Sequence, residues 1–454
     1  MEAVFMVQSN GSAMQKINAI FDAGTFVELG AYTKRAGSGE ALEGVVCGYG
    51  SVDGRLAFCF AQDSGREKGA FGEGHAKKII DTYALAVKNG APVIGVFDSA
   101  GATVYEGASA LAAYGRVMKS VSDASGVIPQ IAVIDGICGG MSAVAASMFD
   151  VTVTINDSSK LYVNPPFIVG EEKGSAAHAA GTGLSAYTAA DAEEAYAFAR
   201  SLVSLLPSNN ADTCMTESTD QLNRLVALEG KSGEAIITEL ADGGNFIRLY
   251  KEHTENALLG FASFGGVCAG VVLVDGKLDI KVARVVSKLQ SFCDSFGIPT
   301  LTLVDSEGLA VSAEAEDAAY ASELARLAYS YTTSDNAKLT VVLGKAYGAS
   351  FTLLGSKSVG ADMVYALSGA AISVLSPEAS VAFVWNDRVG DTTREELESE
   401  WREKCASAAE ACDRGEVDDI IEPAELRKRI CASLMMLASK ANGVPTRRHA
   451  NMPL

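Results

Sequence analysis

The 454-residue chain is poor in the residues that metal and disulfide chemistry require. Its four histidines are scattered, and its nine cysteines (47, 59, 138, 214, 268, 293, 405, 412 and 431) include no Cys-x-x-Cys pair. Zinc sites and disulfide frameworks announce themselves by close spacing, so the cysteines read as buried reduced thiols and no metal is expected. Positive charge is also short: 37 Lys and Arg against 56 Asp and Glu leave a formal charge of −19. With no basic stripe to offset it, a nucleic-acid partner is excluded. No apolar run is long enough to cross a bilayer and no stretch has the pattern of a signal peptide. The expected location is the cytoplasm, at most peripheral to a membrane complex. No Ser/His/Asp set surrounds a nucleophile elbow and no paired carboxylates stand out, so side-chain nucleophile and acid–base chemistry find no carrier.

What the chain does have is a long internal repeat. Asn89-Gly-Ala-Pro-Val-Ile-Gly-Val-Phe-Asp-Ser-Ala-Gly101 returns as Phe296-Gly-Ile-Pro-Thr-Leu-Thr-Leu-Val-Asp-Ser-Glu-Gly308, with Pro92/Pro299, Asp98/Asp305 and Gly101/Gly308 all offset by 207 (299 − 92). That period is too long for a solenoid and implies two copies of one domain. Gly48–Ala57 corresponds to Gly260–Ala269, each leading into an apolar strand (Phe58–Ala61, Gly270–Val274). Ile131–Met141 likewise mirrors Leu339–Ser350, an apolar strand running into a glycine turn and a small-residue helix. Unbroken apolar strands indicate buried parallel pairing. Helical periodicity over Gly74–Lys88 and Asp279–Phe292, stopped by Gly90 and Gly297, completes a βαβ pattern. The fold class is α/β.

Between the copies, residues 207–245 are polar and mark the linker, giving domains 1–235 and 236–454. Asp387–Arg414 reads as one charged, solvated helix. Glu422-Pro423 opens a closing helix, Ala424–Lys440, whose Leu426, Ile430, Leu434 and Leu437 predict packing on the second domain or a neighbouring subunit.

The chemistry must come from the backbone. Adjacent N–H donors in a small-residue turn at a helix start can hold a developing oxyanion, aided by the helix dipole. Gly139-Gly140-Met141 supplies one such turn and Gly348-Ala349-Ser350 its duplicate. One such turn alone would indicate only tight strand-to-helix packing. Two in matched repeats point to two polarised carbonyls. With no side-chain base beside them, the proton acceptor is expected to be a second ligand.

Asp98-Ser-Ala-Gly-Ala-Thr-Val-Tyr-Glu-Gly107, Pro129–Gly140, Lys345-Ala-Tyr-Gly-Ala-Ser350 and Gly355–Asp362 resemble the biotin-dependent acyl-CoA carboxyltransferases, in order, from about Lys16–Glu28 to Arg447–Leu454. That group includes the β subunits of propionyl- and acetyl-CoA carboxylases and the α subunits of methylmalonyl- and glutaconyl-CoA decarboxylases. The resemblance implies tandem crotonase-like (ClpP/crotonase) repeats in a homo-oligomer, a hexamer built as a trimer of dimers, with active sites between the first domain of one subunit and the second of its neighbour. It assigns the acyl-CoA thioester to the first copy, with Gly140 and Met141 as oxyanion donors and Gly139, Gly101 and Ala102 around them. It assigns biotin to the second, with Ala349 and Ser350 as donors and Gly348, Tyr347, Thr352 and Gly308 as surroundings. Carboxybiotin would release CO2, the biotin anion would take the α-proton, and the enolate would capture the CO2. Arg66 and Lys68 are candidates for the CoA phosphates, a solvated loop pair being the alternative.

No lysine lies in a Met-Lys-Met motif, so biotin is expected on a separate biotin carboxyl carrier protein. No ATP-grasp-like module is present, so a biotin carboxylase or a membrane decarboxylase subunit is the further partner. The transfer is reversible, and its direction belongs to that partner. The chain departs from the family pattern at Thr103 (usually arginine), Tyr105 (usually glutamine), Met141 (usually glycine) and Glu307 (usually proline). Thr103 and Glu307 keep open a non-catalytic paralogue as an alternative.

Overall fold

The computed structural model describes residues 12–34, 42–213, 215, 217–218 and 220–440; the C-terminal Arg447–Leu454 end of the resemblance lies outside them. The chain divides into two compact units, Met1–Thr213 and Cys214–Leu454. The sequence puts the division at 235/236. The earlier boundary arises because the polar stretch after 213 packs on the second unit: Met215 bridges to Val267, and the Val226 N–H donates to the Ala424 carbonyl at 3.0 Å.

Each unit is built on one eight-stranded sheet. In the first, the strands are β1 (Val27–Leu29), β2 (Val45–Val52), β3 (Arg55–Gln62), β4 (Val93–Ser99), β5 (Gln130–Gly139), β6 (Val151–Ile155), β7 (Lys160–Tyr162) and β8 (Tyr187–Ala189). They run in the order β1-β2-β3-β4-β5-β6-β8, with β7 paired to β5. The second unit repeats this with β9 (Phe246–Leu249), β10 (Ala257–Phe264), β11 (Val267–Leu278), β12 (Thr300–Leu309), β13 (Lys338–Tyr347), β14 (Met363–Leu367), β15 (Ala371–Ser373) and β16 (Asp419–Ile421). Its order is β9-β10-β11-β12-β13-β14-β16, with β15 on β13. In both units the first three strands are antiparallel and the rest parallel. Strand for strand, the duplication read from the sequence is the duplication of the fold.

Helices cover the sheets. In the first unit these include α1 (Ser12–Ile20), α2 (Glu73–Asn89), α3 (Ala108–Ala124), α4 (Met141–Ala146) and α5 (Ala192–Leu205). Their counterparts are α6 (Glu234–Leu240), α7 (Ile280–Ser295), α8 (Tyr320–Thr333), α9 (Ala349–Leu353) and, after the charged α10 (Arg394–Cys405), α11 (Leu426–Leu437). Gly90 ends α2 in the left-handed region and Asp279 caps α7 through the Val282 N–H, as their sequences predict. The segment Asp387–Arg414 is not one helix. A turn through Gly390 leads into a Thr393–Glu396 capping box that starts α10 afresh, and a second helix covers Ala408–Asp413. Nor is it wholly solvated, since Leu397, Ala406, Ala408 and Ala411 are buried. In α11, Leu426, Ile430 and Leu434 enter the second unit's own core.

One repeated device is invisible in the linear motifs. Arg200 on α5 donates to the Ile20 carbonyl and to Asp22, whose carboxylate accepts the Asp53 and Gly54 N–H groups of the β2–β3 turn. Arg427 on α11 donates to the Leu240 carbonyl and to Asp242, whose carboxylate accepts the Gly265 and Gly266 N–H groups of the β10–β11 turn. Each arginine thus ties the unit's last long helix to its first helix and first hairpin.

Candidate active site

The sheets position two matched turns. Near the end of β4, Asp98 accepts the Ile137 N–H at 3.2 Å; at the matching position within β12, Asp305 accepts the Lys345 N–H at 2.8 Å. Each bond holds the bulge at which the next strand, β5 or β13, shifts register. The bulge glycines are packed against these carboxylates: a Cβ on Gly136 (φ 133°) would overlap Asp98, and one on Gly344 would lie 2.7 Å from Asp305 Oδ1. Gly136→Ala is therefore expected to cost about 1–3 kcal/mol of stability, measured by denaturant unfolding, with no such loss for Ala at solvent-facing Gly115 in α3.

Beyond the bulges the strands deliver Gly140 and Gly348 to the starts of α4 and α9 at φ 59° and 61°, a left-handed conformation that favours glycine. Here the structure redistributes the donors. The Gly140 N–H is engaged with the Tyr162 carbonyl at 2.9 Å, as the Gly348 N–H is with the Ser373 carbonyl at 2.9 Å. Gly140 shapes the turn instead of donating from it. The first N–H groups without an acceptor among the described residues are those of Met141 and Ala349. α4 and α9 have six and five residues, too few for a substantial macrodipole, so these N–H groups carry the electrostatics themselves.

A second donor stands beside each. Ser99 pairs with Cys138 and Ser306 with Ala346, so the residues that follow Ser99 and Ser306 lie alongside the turns. Phe71 bridges to Ala102 and Leu278 pairs with Leu309, with Thr103 N–H and Ala310 N–H donating back to residues 71 and 278 at 2.8 Å in both cases. In a parallel bridge this turns the intervening N–H, of Ala102 or Leu309, to the opposite side, that of β5 or β13. Gly101 and Gly308 N–H groups donate to Ser99 and Ser306 hydroxyls at 3.2 and 3.4 Å. The structure therefore gathers Gly101, Ala102, Gly139, Gly140 and Met141 in one unit and Gly308, Tyr347, Gly348, Ala349 and Ser350 in the other. Leu309 is not marked by any sequence motif, although it sits 207 residues after Ala102 (309 − 102).

Around the donors, Ser350 is buried and its hydroxyl donates to the Tyr347 carbonyl at 2.7 Å, fixing the turn. Burial raises the Tyr347 phenol pKa. Thr352 is exposed one step further along α9, its carbonyl accepting the Ser356 hydroxyl at 3.0 Å. Arg66 is turned inward, to Asp63 at 3.4 Å and the Glu43 carbonyl at 3.1 Å. Lys68 is exposed and makes no ion pair among the described residues, while its carbonyl accepts the Ala100 N–H at 2.9 Å. Of the two loop cations, only Lys68 remains open to an anion beside the first turn. Glu307 is exposed and ion-paired with Lys345 at 2.8 Å, which lowers its carboxyl pKa. Tyr105 is exposed on the loop after Ala102.

Comparison with known proteins identifies the family. The family described as "Carboxyl transferase domain" matches residues 8–452. The carboxyltransferase subunit of propionyl-CoA carboxylase from Haloferax mediterranei is 33% identical over 98% of this chain and 93% of its own length. The α subunit of methylmalonyl-CoA decarboxylase from Veillonella parvula is 32% identical over 98% and 94%. The crystal structure of transcarboxylase 12S, a hexamer described with methylmalonyl-coenzyme A and methylmalonic acid bound, superposes with a TM-score of 0.91 at 28% identity, covering 100% of this chain and 94% of that one. The tandem crotonase-like α/β architecture is thus shared along the whole length, and the chain belongs to the carboxyl transferase family.

Proposed function

We propose that this carboxyltransferase moves a carboxyl group between biotin on a separate carrier protein and the α-carbon of a short acyl-CoA of the acetyl/propionyl or malonyl/methylmalonyl type. The observation that carries the reading is the duplicated pair of N–H donors at matched positions beside the two turns: Ala102 with Met141, and Leu309 with Ala349. Each pair fits one carbonyl oxygen, the thioester's in the first unit and the biotin ureido's in the second. As charge develops on those oxygens, fixed donors stabilise it without reorganising. Biotin, when bound, supplies both the carboxyl group and the base for the α-proton. The chain's own part is to orient two carbonyls and hold their charge. Glu307 and Thr103 leave all four donors in place, which favours this reading over a non-catalytic paralogue. Incubation with free biotin and methylmalonyl-CoA should yield propionyl-CoA in a biotin-dependent manner; absence of turnover with both malonyl- and methylmalonyl-CoA would overturn it.

The same half-reaction serves a carboxylase, with a biotin carboxylase as partner, or a decarboxylase α subunit, with a membrane subunit accepting the carboxyl group. Similarity to both kinds of protein is nearly equal. No described helix is long and apolar enough to cross a membrane, so any membrane association would come through that partner.

Lys68 is assigned to the CoA phosphates. Lys68→Glu should raise KM for acyl-CoA by roughly fivefold or more at low salt, shrinking as salt screens the charge, with kcat little changed. Steady-state kinetics between 20 mM and 500 mM salt test this; an unchanged KM would remove Lys68 from the site. Matched exposed apolar residues, Val104 with Val311 and Val163 with Val374, together with Phe167 and Phe383, favour a homo-oligomer whose further copies cover these faces. A hexamer, as described for transcarboxylase 12S, is the expected state in sedimentation.

A further inference from the structure

The two units differ where α1 and α6 cover the ends of their sheets. In the first unit Ser12 donates to Asp63 at 2.7 Å, and the Lys16 ammonium lies 2.9 Å from Asp98 and 3.4 Å from Asp135. Arg66 also contacts Asp63. The strand pairings carry Asp63 onto Asp275, Asp98 onto Asp305 and Asp135 onto Leu343. Aligning the Asp22 and Asp242 clamps carries Ser12 onto Ser232 and Lys16 onto Ile236. The second unit therefore keeps two carboxylates and the serine but lacks the ammonium.

At this place lies a cavity of about 680 Å³, walled by Leu228, Ile236, Leu273, Leu343, Leu367 and Pro423, with Asp275, Asp305 and Ser232 also lining it; the matching cavity of the first unit, about 610 Å³, is lined by Ser12, Lys16 and Asp135 and so carries the ammonium that this one lacks. The lysines nearby are committed elsewhere: Lys231 to Glu239, and Lys345 to Glu307. Asp275 is exposed toward the opening, and its side chain accepts no hydrogen bond among the described residues; partial desolvation, then the Asp305 charge, raise its carboxyl pKa against the opposing charge of Lys345. Glu229 and Glu422 at the rim add negative charge. An apolar chamber of this size with a few convergent polar groups is the usual form of a small-molecule site. No three His, Cys, Asp or Glu among the described residues come together to hold a metal, and the apolar walls suit a carbon chain.

We propose that this cavity binds an organic ammonium ion with an apolar body, its charged head taking at Asp305 and Asp275 the place that Lys16 takes at Asp98 and Asp135. The cavity is lined by residues of the second unit alone, and neither Leu309 nor Ala349 is among them, so the proposal does not rest on the reaction assigned above.

Calorimetric titration of the full chain with n-alkylammonium ions from butyl to octyl tests it. Affinity should rise about three- to fourfold for each added methylene. Asp275→Asn should weaken binding by about tenfold or more, and alcohols of the same length should bind more weakly by a similar factor. Ile236→Lys, which restores the missing ammonium, should abolish binding. Absence of binding to the wild-type chain, equal affinity for alcohols, or unchanged binding in Asp275→Asn would each overturn the proposal. Asp275→Asn decides the matter even if Ile236→Lys does not fold.

Discussion

Replacing Ala349 with proline is expected to lower turnover by about 10²–10³-fold while leaving the protein folded. The substitution deletes one atom group of consequence, the N–H that has no acceptor among the described residues. Ala349 is the first residue of α9, where proline's fixed φ suits the helix and its missing N–H breaks no helical bond. The residue before it, Gly348, is a glycine at ψ −144°, clear of the α region that a following proline disfavours. Met141→Pro is the corresponding change at the first turn, after Gly140 at ψ −122°. The two variants should separate under partial reactions. Met141→Pro should impair steps at the thioester whatever the carboxyl donor, and Ala349→Pro should spare acyl-CoA affinity while abolishing biotin-dependent transfer. Calorimetry with acyl-CoA and turnover with free biotin measure these. Full activity in Ala349→Pro with an unchanged melting profile would remove the second turn from the mechanism.

The second large effect is on stability. Arg427 is fully buried and holds Asp242, Asp220 and the Leu240 carbonyl together. Arg427→Met should cost about 3–5 kcal/mol, because it leaves Asp242 charged without its cation. Burial pushes the Asp242 carboxyl up, but the Arg427 guanidinium and the N–H groups of Gly266 and Gly265 outweigh it and hold the carboxyl below its ordinary range. A lowered carboxyl contributes stability that is complete above its unfolded pKa and disappears as pH falls through the folded value. Wild-type stability should thus fall below about pH 4, and Arg427→Met should lose the part of that slope due to Asp242. Adding Asp242→Asn to Arg427→Met should recover part of the loss. Urea unfolding between pH 3 and 7 tests all three. At the equivalent Arg200, which is partly exposed, the loss should be smaller because water already screens the pair.

The sequence exposed the strand cores and the turns because both repeats keep the same residue types at the same offsets. Asp98 and Asp305, Gly101 and Gly308, and the two apolar strands into glycine turns are all local patterns. The Arg200–Asp22 and Arg427–Asp242 clamps escaped because each joins residues about 180 positions apart (200 − 22, 427 − 242), with no shared motif around the arginines. The role of Gly140 depends on a distant residue in the same way. A sequence shows that a residue has an N–H, but only the position of Tyr162 on β7 shows that the N–H is spent. Asp387–Arg414 reads as continuous because its charge is continuous, whereas Gly390 and the Thr393 cap interrupt it.

By itself, then, the sequence determined that one α/β domain occurs twice, and that each copy ends a buried strand in a glycine turn with no side-chain base beside it. Those features are written in periodicity and composition, which depend on neighbours along the chain. The tertiary structure decided which N–H groups remain free, that Leu309 joins Ala349, and that Lys16 has no counterpart above Asp305. Each depends on an acceptor or a charge brought close from a distant part of the chain, and hydrogen bonds and ion pairs act over a few ångströms of space whatever the separation in sequence.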